Sequence, residues 1–164
     1  MAYLKPEKLT FHIPGLVHLP VSRDFMGCAF TQKIHKLAKA LHERGHTVIL
    51  YGAEGSDESI CTKFVQTHTL KDIRDTWGSG DNRTRCKGLG YDWQAEGFRH
   101  DINKTPTPLT QRFNNTVGAT IYANSEPDHF LLLSQGWYQK QLADIAGLEL
   151  TVESGIGYRL RVDL

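Results

Sequence analysis

Apolar and polar residues follow one another along this chain in blocks that predict alternating strands and helices. Between Leu9 and Gly52, a short apolar run stops at Pro14, a loop and a helical pattern follow, and a second apolar run ends the segment. The helical pattern places four apolar residues on one face, namely Phe30, Ile34, Leu37 and Leu41. Arg44-Gly45 is a typical helix end. The segment therefore predicts a βαβ unit whose first loop faces the amino terminus of the helix.

The later blocks continue the alternation. They predict, in order, an edge strand over 61–69, a loop over 71–90, a short helix or turn over 91–103, a capped helix from Thr107 to about 124, an apolar strand over 130–133, a short helix over 138–146 and a last strand over 148–152. Strands that alternate with helices indicate a doubly wound, mainly parallel sheet of about five strands flanked by helices. We expect residues 1–164 to form a single α/β domain.

The composition argues against several classes of protein. A chain of 164 residues with 40% apolar content can bury one good core. The net charge of +1 lacks the basic signature of a nucleic-acid binder. Its three cysteines have no CxxC spacing, which argues against a disulfide framework and a zinc site. The longest apolar runs are too short for a signal peptide or a membrane span, so we expect a cytoplasmic protein without a membrane span.

The loop over 14–25 is the first candidate binding segment. It carries His18 and Arg23 and leads into a helix whose free backbone N–H groups favour an anion. The alternative is that Ser22 or Asp24 only caps the helix and that His18 is a solvated loop residue. His12, in the first strand, is either a base or a core histidine with satisfied hydrogen bonds.

Three common nucleotide or hydrolase motifs are absent from the sequence. It contains no GxGxxG, no GxxxxGK[ST] and no GxSxG. These absences argue against a nicotinamide site in the first turn, a P-loop and an α/β-hydrolase.

Five short segments together resemble the amino-terminal half of GT-B glycosyltransferases, most closely enzymes of phages and bacteria. The segments are HIPGL, CAFTQK, RGHTVILYGAEGS, FLLLSQGW and ESGIGY, and the likeness covers almost the whole chain. In that fold, two Rossmann-like domains face each other across a cleft. The first domain mainly binds the acceptor, the second binds most of the nucleotide-sugar donor, and no metal is normally required. The resemblance therefore implies no cofactor beyond the donor substrate, and a second Rossmann-like half or partner chain.

The resemblance also implies site residues. His12 and His18 are the catalytic candidates. The positions that resemble substrate-binding residues are Gly15, Gln135, Gly136, Trp137, Glu153, Gly155, Gly157 and Tyr158. Arg23 in the first loop and Glu54 after the second strand complete the set. Two departures stand out, because Ser154 occupies a position where proline is expected, and Leu164 ends the sequence where the family continues into its donor-binding domain.

The function expected from this resemblance is transfer of a sugar from a nucleoside-diphosphate sugar to a hydroxyl acceptor, with the isolated chain inactive. The alternative is a non-catalytic binding or interaction module, a truncated or degenerate relative of that family. A third class, another nucleotide-binding protein, would require Glu54 to meet a ribose, and the missing glycine fingerprint weakens it. Modified DNA bases are an acceptor class for phage members, but the near-neutral charge gives a nucleic-acid acceptor no support.

Overall fold

One mixed sheet forms the centre of the molecule. The computed structural model describes residues 7–77, 107–126, 129–133, 140–147, 149–152 and 158–161. Its strands are β1 (Thr10–Pro14), β2 (Thr47–Ala53), β3 (Lys63–His68), β4 (His129–Leu133), β5 (Glu149–Val152) and β6 (Tyr158–Arg161). They lie in the order β3-β2-β1-β4-β6-β5. The first four strands are parallel to one another, whereas β6 is antiparallel to both β4 and β5.

The central strands agree with the sequence pattern, but the number of parallel strands does not. As predicted, β3 is an edge strand, and β1 lies between β2 and β4. The parallel part contains four strands rather than about five, because β5 pairs only with β6. Only residues 153–157 join β5 to β6, and a connection this short permits an antiparallel pair but no parallel crossover.

Four helices accompany the sheet in the described part of the chain: α1 (Ala29–Glu43), α2 (Leu70–Trp77), α3 (Pro108–Asn124) and α4 (Lys140–Ile145). Two short 3₁₀ helices, Arg23–Phe25 and Glu58–Ile60, lie in the loops after β1 and β2. From β1 the chain proceeds through β2 to β3 at one edge of the sheet, and it then returns to place β4 on the other side of β1. With crossovers of the usual right hand, this strand order would place helices on both faces.

The ends of α1 are as predicted, and three residues of its predicted apolar face, Phe30, Ile34 and Leu41, pack in or against the core. Gly45 follows the helix with φ +87°, a conformation that favours glycine. The buried residues are Thr31, Ile34, His35 and Ala38, whereas Leu37 is only partly buried. His35 is buried, although it was not part of the predicted apolar face. Its ring can be buried because its Nε2 atom has a hydrogen-bond partner, the carboxylate of Asp57, at 3.0 Å.

The other helices test the remaining predictions. At the start of α3, the hydroxyl of Thr107 accepts a hydrogen bond from the backbone N–H of Thr110, and Pro108 begins the helix, as predicted. The prediction of a loop over 71–90 is wrong at its start, because α2 is helical as far as Trp77. The rest of that loop, and the short helix or turn predicted over 91–103, lie outside the described residues. No helix in the described ranges is both long and apolar enough to cross a bilayer.

Candidate functional site

The loop after β1 is buried rather than solvated. Leu16, Val17, Leu19 and Val21 are at most 1% exposed, and His18 is 3% exposed. An apolar loop of this kind can pack into the core only if its backbone groups find partners. The alternative interpretation of His18 as a solvated residue is therefore wrong.

Gly15 brings this loop against β2. Its backbone N–H donates a 2.7 Å hydrogen bond to the carbonyl oxygen of Tyr51. A Cβ atom at Gly15 would lie 2.9 Å from Cγ2 of Val21 and 3.0 Å from that carbonyl oxygen. Glycine is therefore needed here for close packing, a role that accounts for the residue without any ligand.

A second loop, after β2, holds the first in place. The backbone N–H of Val21 donates to the hydroxyl of Ser56 at 3.0 Å, and the N–H of Asp57 donates to the carbonyl oxygen of Val21 at 2.8 Å. The carboxylate of Asp57 also contacts His35 on α1. Hydrogen bonds from Ser59 and His35 hold the pKa of Asp57 below its usual value. Both loops and α1 are thus connected at the carboxyl edge of the sheet.

His18 lies close to a second buried histidine, His68, at the end of β3. The Nε2 atom of His68 lies 2.6 Å from the carbonyl oxygen of Val17 and donates to it. Burial, together with the nearby His68, lowers the pKa of His18 to about 4. Burial also lowers the pKa of His68. Both rings are therefore neutral near pH 7 and can accept a proton only at a cost.

His12 is closed off by protein partners on both ring nitrogens. Its Nδ1 atom lies 2.8 Å from the hydroxyl of Tyr51, and its Nε2 atom lies 2.9 Å from Nδ1 of His129. Burial, followed by the nearby His129, lowers the pKa of His12 to about 4, and burial raises that of Tyr51 to about 12. With both nitrogens engaged, His12 matches the interpretation of a satisfied core histidine rather than a base.

Arg23 and Glu54 are both exposed, in different settings. Arg23 belongs to the 3₁₀ helix that precedes α1. That helix is capped by Ser22, whose hydroxyl accepts from the N–H of Asp24, so Ser22 does not cap α1 as the alternative interpretation held. Glu54 accepts a 3.0 Å hydrogen bond from the N–H of Leu70, so it supplements the cap of α2. The hydroxyl of Thr69 caps the same end by accepting from the N–H of Asp72.

The start of α1 has no acidic residue of its own and no side-chain cap from its N-cap residue, Cys28. The helix dipole at this end is therefore not offset by a carboxylate of the helix itself.

Six candidate residues lie outside the described residues, namely Gln135, Gly136, Trp137, Glu153, Gly155 and Gly157. Tyr158 is the first residue of β6 rather than part of a loop, and its backbone pairs with that of Leu133 at the carboxyl end of β4. The backbone of Tyr158 therefore lies at the predicted edge of the sheet, but at the start of a strand rather than after the end of one.

Sequence reasoning missed the contacts that connect this edge. His68 and Tyr51 each belonged to a predicted strand, and His35 belonged to the predicted amphipathic helix, so none of the three was predicted as a site residue. The only available signal was a polar residue on an otherwise apolar face, as at His35. Across the described ranges, no group of three or more histidine, cysteine, aspartate or glutamate side chains could hold a metal ion.

Comparison of the chain with models of protein families, with curated protein sequences and with solved structures gave no significant match in any of the three cases.

Proposed function

We propose that this chain is the acceptor-binding, Rossmann-like half of a GT-B-type glycosyltransferase. The reaction would transfer a sugar from a nucleoside-diphosphate sugar to a hydroxyl acceptor. The observation that carries the proposal is the pairing of β1 with β4 as parallel neighbours, because the chain reaches the two strands by crossovers in opposite directions. Ligands of such sheets bind in the crevice at the carboxyl ends of that strand pair. Gly15 and His18 follow β1 at the same carboxyl edge, where their loop packs toward β2 and β3.

The start of α1 supports the proposal electrostatically. A leaving diphosphate requires stabilisation of developing negative charge, and a helix amino terminus supplies N–H groups and a positive dipole end. The uncapped, acid-free first turn of α1 is compatible with this role. Arg23, exposed in the 3₁₀ helix that precedes α1, adds a cation to this loop.

Of the two catalytic candidates, His18 fits the proposal better than His12. The ring of His18 is neutral at pH 7, but burial lowers its pKa to about 4, so it is a weak base while the loop is closed. Both nitrogens of His12 are already engaged with Tyr51 and His129. In the proposed enzyme, His18 is the base, and the loop must move to let an acceptor hydroxyl reach it.

A non-catalytic binding module is the second candidate function. It is favoured by the closed hydrogen bonds of His12 and by the 3% exposure of His18, since a working base must contact its substrate. Such a module would keep the fold and the crevice without the proton transfer.

Transfer assays separate the two candidates. The purified chain would be tested with several nucleotide sugars and hydroxyl acceptors, alone and with a second Rossmann-like half supplied as a separate protein. We expect turnover only in the combination, because holding both reactants together can supply about 7 to 11 kcal/mol of barrier reduction and one half positions only one of them.

Variants make the assay specific to this chain. His18→Gln is expected to abolish turnover in the combination, whereas His42→Gln, on the partly exposed end of α1, leaves it unchanged. Robust turnover by the chain alone would overturn the two-domain form of the proposal. Saturable acceptor binding without turnover in any combination would instead favour the binding module.

A further inference from the structure

A single side chain of β3 joins this strand to the loop after β1. His68 is the last residue of β3, and its Nε2 atom lies 2.6 Å from the carbonyl oxygen of Val17 in the loop. A carbonyl oxygen can only accept, so Nε2 must carry a proton for this bond to exist. Both partners are buried, so the bond is shielded from water.

The other nitrogen of His68 is coupled to the hydroxyl of Thr67. The Nδ1 atom of His68 lies 2.7 Å from Oγ1 of Thr67, which also lies 3.0 Å from the carbonyl oxygen of Gly52. A hydroxyl has one proton and can serve only one of these acceptors. With His68 neutral, the hydroxyl donates to Nδ1. With His68 protonated, Nδ1 donates to the hydroxyl, which then turns to Gly52, and the bond to Val17 is kept.

The surroundings of His68 and His18 can accommodate one positive charge on the two rings, but not two. Beyond the bonds to Val17 and Thr67, His68 faces Asp72 of α2, which favours its charged form. Arg112 of α3 opposes that form and lies 3.2 Å from the carboxylate of Asp72. His18, next to Val17 in the loop, is 3% exposed and feels the charge of His68 directly.

We propose that His18 and His68 form a pH-sensitive latch that holds the loop over residues 15–28 against β3 when His18 is neutral and releases it when His18 is protonated. The first proton is accommodated on His68 by turning the hydroxyl of Thr67. A second proton on His18 would place two cations side by side in the core, and the loop leaves so that His18 reaches water. This latch does not depend on the proposed sugar transfer.

The sign of the pH dependence follows from the two states of His18. Its pKa is about 4 in the closed loop and 6.5 when the ring is solvated, so the open loop binds the extra proton over that interval. Opening is therefore independent of pH well above 6.5 and rises as pH falls below it, by up to about tenfold per pH unit.

Hydrogen exchange on the full chain tests the latch. Exchange would be followed by mass spectrometry at about pH 7, 6 and 5, with exchange times scaled for the intrinsic pH dependence of amide exchange. From about pH 6 to about pH 5, protection of peptides over 15–28 is expected to fall about sevenfold, while peptides over 108–124, in α3, lose much less.

Two variants identify the groups responsible. His18→Gln should remove most of the pH dependence of the loop, because glutamine does not titrate. His42→Gln removes a histidine at the end of α1, away from the loop, and should leave the effect intact. Equal loss of protection in α3 would show global acid unfolding and would overturn the latch.

Should His18→Gln fail to fold, the wild-type chain still decides the matter. The imidazole carbon shifts of His18 would be followed by NMR through the same titration. We expect the apparent midpoint of His18 to coincide with the loss of loop protection. A loop that keeps its protection at pH 5, or that opens without a change at His18, contradicts the proposal.

Discussion

The backbone N–H of Gly15 and the carbonyl oxygen of Tyr51 form a 2.7 Å hydrogen bond that fixes the first loop to the end of β2. Any Cβ at Gly15 would meet that oxygen and Val21 at 3.0 Å or less. We expect Gly15→Ala to lower the free energy of unfolding by about 1 to 3 kcal/mol, the usual cost of overpacking. Urea denaturation monitored by circular dichroism measures it.

Gly45→Ala is the comparison for this change. A Cβ there meets nothing within 4 Å, but the φ of +87° is unfavourable for alanine. Its cost of roughly 1 kcal/mol therefore comes from the backbone alone. If Gly15→Ala cost no more than a few tenths of a kcal/mol, the close packing described for the loop would be incorrect.

Stability should depend on pH through His12. Its pKa is about 4 in the folded protein and 6.5 as the ordinary value, so the unfolded chain binds the proton first as pH falls. The contribution of His12 is complete above pH 6.5 and is lost progressively down to about pH 4, by roughly 3 kcal/mol in total. Urea titrations across this range should show the decline.

In His12→Leu, the free energy of unfolding should fall less steeply with decreasing pH than in the wild type, even if the variant is less stable at pH 7. The reason is that the unfolded chain then has one histidine fewer to protonate. His42→Gln serves as the control with an unchanged structure around β1. A wild-type stability that is flat from pH 6.5 to 4.5 would contradict the neutral, buried state of His12.

Glu54 is expected to stabilise the start of α2, whether or not it also contacts a ligand. Its carboxylate accepts a 3.0 Å hydrogen bond from the N–H of Leu70 at the start of α2. Glu54→Ala should cost about 1 kcal/mol, as loss of a helix cap usually does. Glu54→Gln keeps an acceptor oxygen and should cost less. Equal effects of the two substitutions in thermal unfolding would argue against the capping role.

Gly118 controls how closely α3 packs on α4. A Cβ at this position would lie 2.8 Å from Cβ of Ile145 and 3.0 Å from the carbonyl oxygen of Leu142. Gly118→Ala is therefore expected to destabilise the protein by about 1 to 3 kcal/mol. In an Ile145→Ala background the penalty should shrink only in part, because Cγ2 of Ile145, which also lies 2.8 Å away, is removed while its Cβ remains. A double-mutant cycle measures this coupling, and additive effects would rule out direct contact.

The local patterns were sufficient to predict much of the fold. The apolar runs of β1, β2 and β4, the glycine after α1 and the Thr107-Pro108 cap are short-range signals, and the structure contains each of them. β6 was missed because its sequence, YRLR, has no apolar run and depends on the free edge of β4.

The site was less predictable because its contacts join distant residues. His35 and Asp57 are 22 positions apart, and His68 and Val17 are 51 apart. Gly15 and Glu54 were predicted to contact substrate, and the structure gives each a packing or capping role that local sequence does not reveal. Burial of His18 likewise depends on the apolar loop finding backbone partners in β2 and the following turn.

The position of β4 beside β1 has a consequence for the order of folding. β1, α1, β2 and β3 are consecutive, whereas His129 meets His12 across 117 positions of sequence. Contacts that close long loops form late, so we expect the first three strands to assemble before β4 docks. Until then, Nε2 of His12 has no histidine partner. Leu131→Ala, in β4, should therefore mainly accelerate unfolding, whereas Val48→Ala, in β2, should also slow refolding in stopped-flow experiments.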